Sequence, residues 1–143
     1  MLYDQEMGGI LIMACASLMA IDGDTARCCA QTTGPCEGQN IRPMGAGAPD
    51  VLGFDTPEIY GRSQCAREAE LGLQAGARFA ELLRTPGLVI HDSGVINSND
   101  RPLVWLRLPN GTTVGEIMIR EDYAREWKPG QSNDWCSPSG LGL

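Results

Sequence analysis

A single histidine and a single lysine are all that the 143-residue chain carries of those two types. His91 stands alone at the expected end of a strand, so no Ser/His/Asp or Cys/His nucleophile set can be assembled around it. Basic residues number 11 against 18 acidic ones, a formal net charge of −7. Long-range attraction to polyanions is not what such a chain relies on; action on nucleic acid would need a local arginine cluster or a bound cation. No C-x₂-C pair occurs, which argues against a tetrahedral zinc site. The apolar run from Gly8 to Ala20 is too short to cross a bilayer as a helix, so no membrane partner is expected. It also lacks a signal peptide's basic leader, because Asp4 and Glu6 stand where Lys or Arg would be.

What is present is the composition of one globular domain over 1–143, with its core at about 10–136: 43% of residues are hydrophobic and 20% charged. The 6 cysteines are many for a small cytosolic protein. Cys28 and Cys29 suit disulfides and buried thiols equally well. Disulfides would mean an oxidising, extracytoplasmic compartment, with any export signal removed or outside these residues. Trp135-Cys136 is the obvious anchor of a turn-rich tail, and a bond from Cys136 to Cys65 would tie that tail to the start of a helix.

Taken in order, Ile10–Ile21 and Thr25–Ala30 read as two strands joined by the acidic turn Asp22-Gly23-Asp24. Gln31–Gly38 is a loop, Gln39–Met44 a third strand carrying Arg42, and Gly45–Gly53 a loop rich in Gly, Ala and Pro. Ser63 can cap a helix running to about Arg84, with Cys65, Ala69, Leu73, Ala77, Ala80 and Leu83 predicted to form its buried face. Thr85-Pro86-Gly87 ends it. Leu88–His91 is a strand, Ser93–Asp100 a loop, Pro102–Leu108 a strand and Val114–Arg120 a helix. This order predicts an α+β fold: a five-stranded Greek-key barrel of OB type, with a long helix after strand three and a short one after strand five.

Phe54-Asp55-Thr56-Pro57-Glu58 sets two carboxylates and a hydroxyl on one stiff segment, since Pro57 fixes its own φ and pushes Thr56 towards an extended conformation. A hard cation needs oxygen ligands, and a general base is best placed near such a cation without coordinating it. Taken with Ile21-Asp22-Gly23-Asp24-Thr25, Ile41-Arg42, Arg101-Pro102-Leu103-Val104, Val114-Gly115-Glu116 and Tyr123-Ala124-Arg125, the segment resembles the thermonuclease (staphylococcal nuclease-like) family. The likeness runs from about Ile12 to Cys136.

The resemblance implies Ca²⁺ held by the carboxylates of Asp24 and Asp55 and the backbone carbonyl of Thr56. It makes Glu58 the general base and Arg42 and Arg101 the clamp on a scissile phosphate. The expected activity is Ca²⁺-dependent hydrolysis of DNA or RNA by a monomer, with little sequence preference. Bidentate arginines suit the equatorial oxygens of a phosphodiester. The step from Arg42 to Asp55 is longer than the family's, and the family's Asp-x-Tyr-Gly-Arg is reduced to Ser98-Asn99-Asp100-Arg101. An ungapped pairing would put Gly47 where a ligand belongs and leave a silent OB-type binding module. A disulfide-stapled structural protein with a vestigial site is a third reading. Singly, each residue has a plainer role: Asp22 and Asp24 in a hairpin turn, Arg42 on an outer face, Arg101 beside Asp100, and Trp105, Trp127 and Trp135 as packing.

Overall fold

The computed structural model describes residues 2–7, 10–45, 53–127 and 132–137. The chain is mixed α+β. In order it forms β1 (Leu2–Met7), β2 (Ile10–Ala14), β3 (Ser17–Ala20), β4 (Ala26–Cys29), β5 (Gly38–Pro43), β6 (Gly53–Asp55), a 3₁₀ turn (Tyr60–Arg62), α1 (Ala66–Leu83), β7 (Val89–Ile96), β8 (Pro102–Arg107), α2 (Val114–Arg120) and β9 (Arg125–Trp127). The expected Gly45–Gly53 loop falls almost wholly on 46–52, outside the described residues, as does 128–131 of the tail.

Seven strands form one sheet in the order β1-β2-β7-β8-β5-β4-β3, and β6 pairs β9 separately. Among the described residues, β1 and β3 lie at the two ends of that order and are not paired with each other. Among the described residues only the β5–β8 pair is parallel, with Arg42 opposite Leu103. β8 shows why its residues make a strand: Pro102, Val104 and Leu106 are buried, while Leu103, Trp105 and Arg107 are half-exposed, the period of two that one packed face demands.

The expected single strand Ile10–Ile21 is two strands, interrupted at Cys15 and Ala16. β2 pairs β7, whereas β3 pairs β4. The Ala16 amide donates to the Cys29 carbonyl (2.9 Å), and the Cys15–Cys28 disulfide pins the interruption to β4. Cys29–Cys36 and Cys65–Cys136 complete the set, so all six cysteines are bonded, Cys28 and Cys29 included. Three disulfides are compatible with an extracytoplasmic location. Among the described residues no helix is long and apolar enough to cross a membrane.

The buried face of α1 is the expected one only in part: Leu83 is buried as predicted, and Cys65, Ala69 and Ala80 are half-buried. Glu68, Gly72, Ala75, Phe79, Leu82 and Leu83 face inward, while Leu73 is 51% exposed and Ala77 is also exposed. The apolar rows allow two stripes, and the inward one follows Phe79, whose ring meets Phe54 edge-on at 6.3 Å between centroids. The cap is Cys65 rather than Ser63, its sulfur accepting from the Glu68 amide. On α2, Thr113 and Glu116 form a reciprocal capping box that fixes where the helix begins. Gly115 lets α2 approach the chain at Met44: a Cβ there would lie 2.5 Å from the Met44 carbonyl oxygen.

Candidate functional site

The Ile21–Thr25 turn is closed by its own first carboxylate. Asp22 Oδ1 accepts from the amides of Asp24 (3.0 Å) and Thr25 (2.9 Å), which gives Asp22 the turn role expected of it. Gly23 lies flat on Thr56, since a Cβ would come within 2.7 Å of the Thr56 hydroxyl oxygen. Contact that close carries Asp24 to the Thr56 amide, which donates to Asp24 Oδ2 at 3.1 Å.

Across β4 and β5, Arg42 closes the same corner. Its Nη1 donates to the Asp24 carbonyl and pairs with Asp24 Oδ1, both at 2.8 Å, while Nη2 donates to the Phe54 carbonyl. Asp55 ends β6 and Glu58 follows two residues beyond Thr56, so the segment expected as a turn is half strand. The pairing Asp55↔Arg125 makes that strand, a contact 70 residues away in sequence that leaves no local periodicity. Asp55 Oδ2 accepts from the Asn133 amide at 2.9 Å, and Trp135 also donates to its carboxylate.

Two residues of α1 hold Glu58. The buried Glu68 carboxylate accepts from the backbone amides of Glu58 (3.0 Å) and Gln64 (2.8 Å). Gly72 lets the helix touch the segment's backbone, for a Cβ would meet the Pro57 carbonyl oxygen at 2.7 Å. Glu68, Asn133 and Trp135 are not among the site residues expected from the sequence. The available signal was Cys65-x-x-Glu68, a capping-box pattern with cysteine in the Ser/Thr position. Asn133 and Trp135 reach Asp55 from a tail tethered by Cys65–Cys136.

Asp24, Arg42, Asp55, Glu58 and Arg101 all line one cleft of about 1080 Å³, with Thr56 buried beside it. Arg101 enters from the Asn97–Arg101 turn, its backbone amide donating to Asn97 Oδ1 at 3.0 Å and its Nη1 donating to Thr25 Oγ1 at 3.0 Å. Its Nε is buried and has no partner among the described residues.

The electrostatics of the cleft are unbalanced. Burial, and then the charge of Asp24, push the Asp22 carboxyl up to about 7. Burial also raises Asp55 against its Asn133 hydrogen bond, and raises Glu58 with help from the charges of Asp24 and Asp55. Asp24 alone goes down: burial opposes this, but the Arg42 charge and the hydrogen bonds from Asp22, Arg42 and the Thr56 amide outweigh it. Burial and the Arg42 charge disfavour the protonated form of Arg101. Among the described residues, no three His, Cys, Asp or Glu side chains already stand at metal-ligating spacing. The donor set still fits a hard cation in kind, because the Asp24 and Asp55 carboxylates and the Thr56 carbonyl are all oxygen ligands. Asp24, Asp55 and the Thr56 carbonyl could hold it. The chain matches no protein-family model and no curated protein.

Proposed function

We propose that the chain is a Ca²⁺-dependent phosphodiesterase that cuts DNA or RNA with little sequence preference, on an OB-type barrel of the thermonuclease kind. The barrel reading rests on β2 and β3 being consecutive: taken as one bent strand, they flank both ends of the run β7-β8-β5-β4 and leave β1 as an added hairpin arm. The observation that carries the function is the gathering of Asp24, Asp55, Glu58, Arg42 and Arg101 in one cleft, where the buried Arg101 Nε has no partner among the described residues.

In this reading Asp24, Asp55 and the Thr56 carbonyl hold Ca²⁺, which when bound supplies positive charge beside the scissile phosphate. Glu58 takes the proton of the attacking water, and its raised pKa makes it a better proton acceptor near neutral pH than an ordinary glutamate. Arg101, which lines the same cleft, holds phosphate oxygens with the part of its guanidinium that faces the cleft. Arg42 has its fork on Asp24 and Phe54, so it first fixes a metal-ligating carboxylate and reaches phosphate only by sharing that fork. Every named residue comes from one chain, so a monomer suffices, and the disulfides suit an extracytoplasmic setting. Plasmid DNA and a structured RNA incubated with the protein should be degraded in Ca²⁺ and spared in chelator. Survival of both in Ca²⁺ would overturn the nuclease reading.

One observation favours a silent binding module instead. The Arg42–Asp24 pair already neutralises the carboxylate on which a metal would depend. That module would bind oligonucleotide with and without Ca²⁺ and cut none.

A further inference from the structure

The cleft extends beyond the five residues of the proposed reaction. Arg27 on β4 and Asn40 on β5 are directly opposed in register, and Arg27 Nε donates to Asn40 Oδ1 at 2.9 Å. Both line the same cleft as Arg42. Asn40 and Arg42 are two residues apart on β5, so they share a face and stand about 7 Å apart along the strand. That step is comparable to the separation of successive phosphates along an extended polynucleotide. The bond to Asn40 fixes the Arg27 guanidinium by its Nε, leaving Nη1 and Nη2 without a hydrogen bond or ion pair among the described residues. In a chain of net charge −7, a held arginine fork with no carboxylate partner among the described residues is available to an anion. At about 1080 Å³ the cleft also exceeds the roughly 300–1,000 Å³ usual for one small ligand.

We infer that Arg27, positioned by Asn40, is a second phosphate subsite, and that the substrate is single-stranded nucleic acid laid along β5 with its neighbouring phosphate on Arg27. This rests on the phosphodiesterase reading for what happens at Arg42 and Arg101, but not for the binding. A flexible single strand can follow a concave, arginine-lined groove through its backbone alone, which makes the subsite indifferent to base identity. Arg27 is a positioning residue and takes no part in the chemistry.

Two measurements on the full chain test it. Kinetics with a thymidine octamer and with the dinucleotide TpT, which has a single phosphodiester, should separate Arg27→Ala from the parent. KM for the octamer should rise about tenfold with kcat little changed, and the octamer's advantage over TpT should shrink by the same factor. Anisotropy of a fluorescein-labelled octamer, read in chelator across salt concentrations, should lose about 0.7 from the slope of log affinity against log salt in Arg27→Ala. Arg27→Lys should restore that slope by restoring the charge. Arg27→Ala with an unchanged slope and an unchanged octamer-to-TpT ratio overturns the subsite, even if the parent cuts well. A parent that binds with an Arg27-dependent slope but cuts nothing keeps the subsite and ends the nuclease reading. A parent that does not bind the octamer in chelator ends the subsite, and one that also leaves it uncut in Ca²⁺ ends both.

Discussion

On one side of the cleft, Asp24, Arg42, the Phe54 carbonyl and the Thr56 amide are bonded to one another. On the other, the Glu58 carboxylate takes no hydrogen bond among the described residues, and the Arg101 Nε is buried without an acceptor. The first wall has settled its own electrostatics and behaves as structure. The second carries the Glu58 carboxyl, raised by burial and by the charges of Asp24 and Asp55, and a buried donor without an acceptor, the condition of groups that a ligand completes. Glycine contacts hold the Asp24 and Glu58 segments alike, Gly23 on Thr56 and Gly72 on Pro57, so packing does not explain the difference between these two carboxylates. Partnering does.

Exchanging the two arginines for alanine gives the sharpest contrast. Arg42→Ala leaves Asp24 buried and unpaired and should cost about 3–5 kcal/mol of stability by denaturant titration. Arg101→Ala removes one hydrogen bond to Thr25, worth about 1 kcal/mol. Its activity in Ca²⁺ should nonetheless fall about 10²–10³-fold, because a preorganised donor to the reacting group is lost. Equal stability losses in the two variants would erase the distinction between the walls.

Cutting the tail loose should come next in size. The Cys65–Cys136 bond closes a separation of 71 residues and holds Asn133 and Trp135 against Asp55. Cys65→Ser with Cys136→Ser should cost about 2–4 kcal/mol in the same titration. Ca²⁺ affinity by calorimetry should also weaken, since Asp55 loses the donors that favour its ionised form. Unchanged Ca²⁺ affinity would show that the tail serves stability alone.

The bond from Cys65 to Cys136 was legible because the tail offers one anchor. The order of motifs was legible because each short acidic or basic cluster sits beside a turn signal. The long helix was found, but its inward side was misjudged in part: Leu73 and Ala77 make a plausible stripe, and Gly72 and Phe79 belong to the one that packs. Tertiary contact decided between two faces that periodicity alone does not separate. β6 and β9 are three residues each and pair across the chain, so nothing local announces them. β7 runs on to Ile96, through residues read as loop, because Ile96 pairs Pro102 past an irregular register. Glu68 was missed because a charged residue near a helix start ordinarily faces water.

The smallest expected effect is on pH. Asp22, at about 7, lies above its unfolded value of 3.8, so the folded state holds its proton through that window. Its contribution is fully present below the unfolded value and is lost as pH rises towards 7; Asp55 and Glu58 act in the same direction. Asp24 works the other way, its contribution being lost only as pH falls below the ordinary aspartate range. Without Ca²⁺, the melting temperature should therefore be higher at pH 5 than at pH 8, and Asp22→Asn should flatten that slope. Ca²⁺ should raise the melting temperature more at pH 8, where the carboxylates are charged. A melting temperature that climbs from pH 5 to pH 8 in chelator would contradict the upward shift that burial gives these carboxyls.

Glu58→Gln tests the open wall most directly, because it keeps the shape of the side chain and removes only the base. Oligonucleotide cleavage at saturating Ca²⁺ should drop about 10²–10⁴-fold while the calorimetric Ca²⁺ affinity stays close to the parent's. A variant that cuts as fast as the parent would show that Glu58 is an ordinary residue of the cleft wall and that the proposed chemistry is wrong.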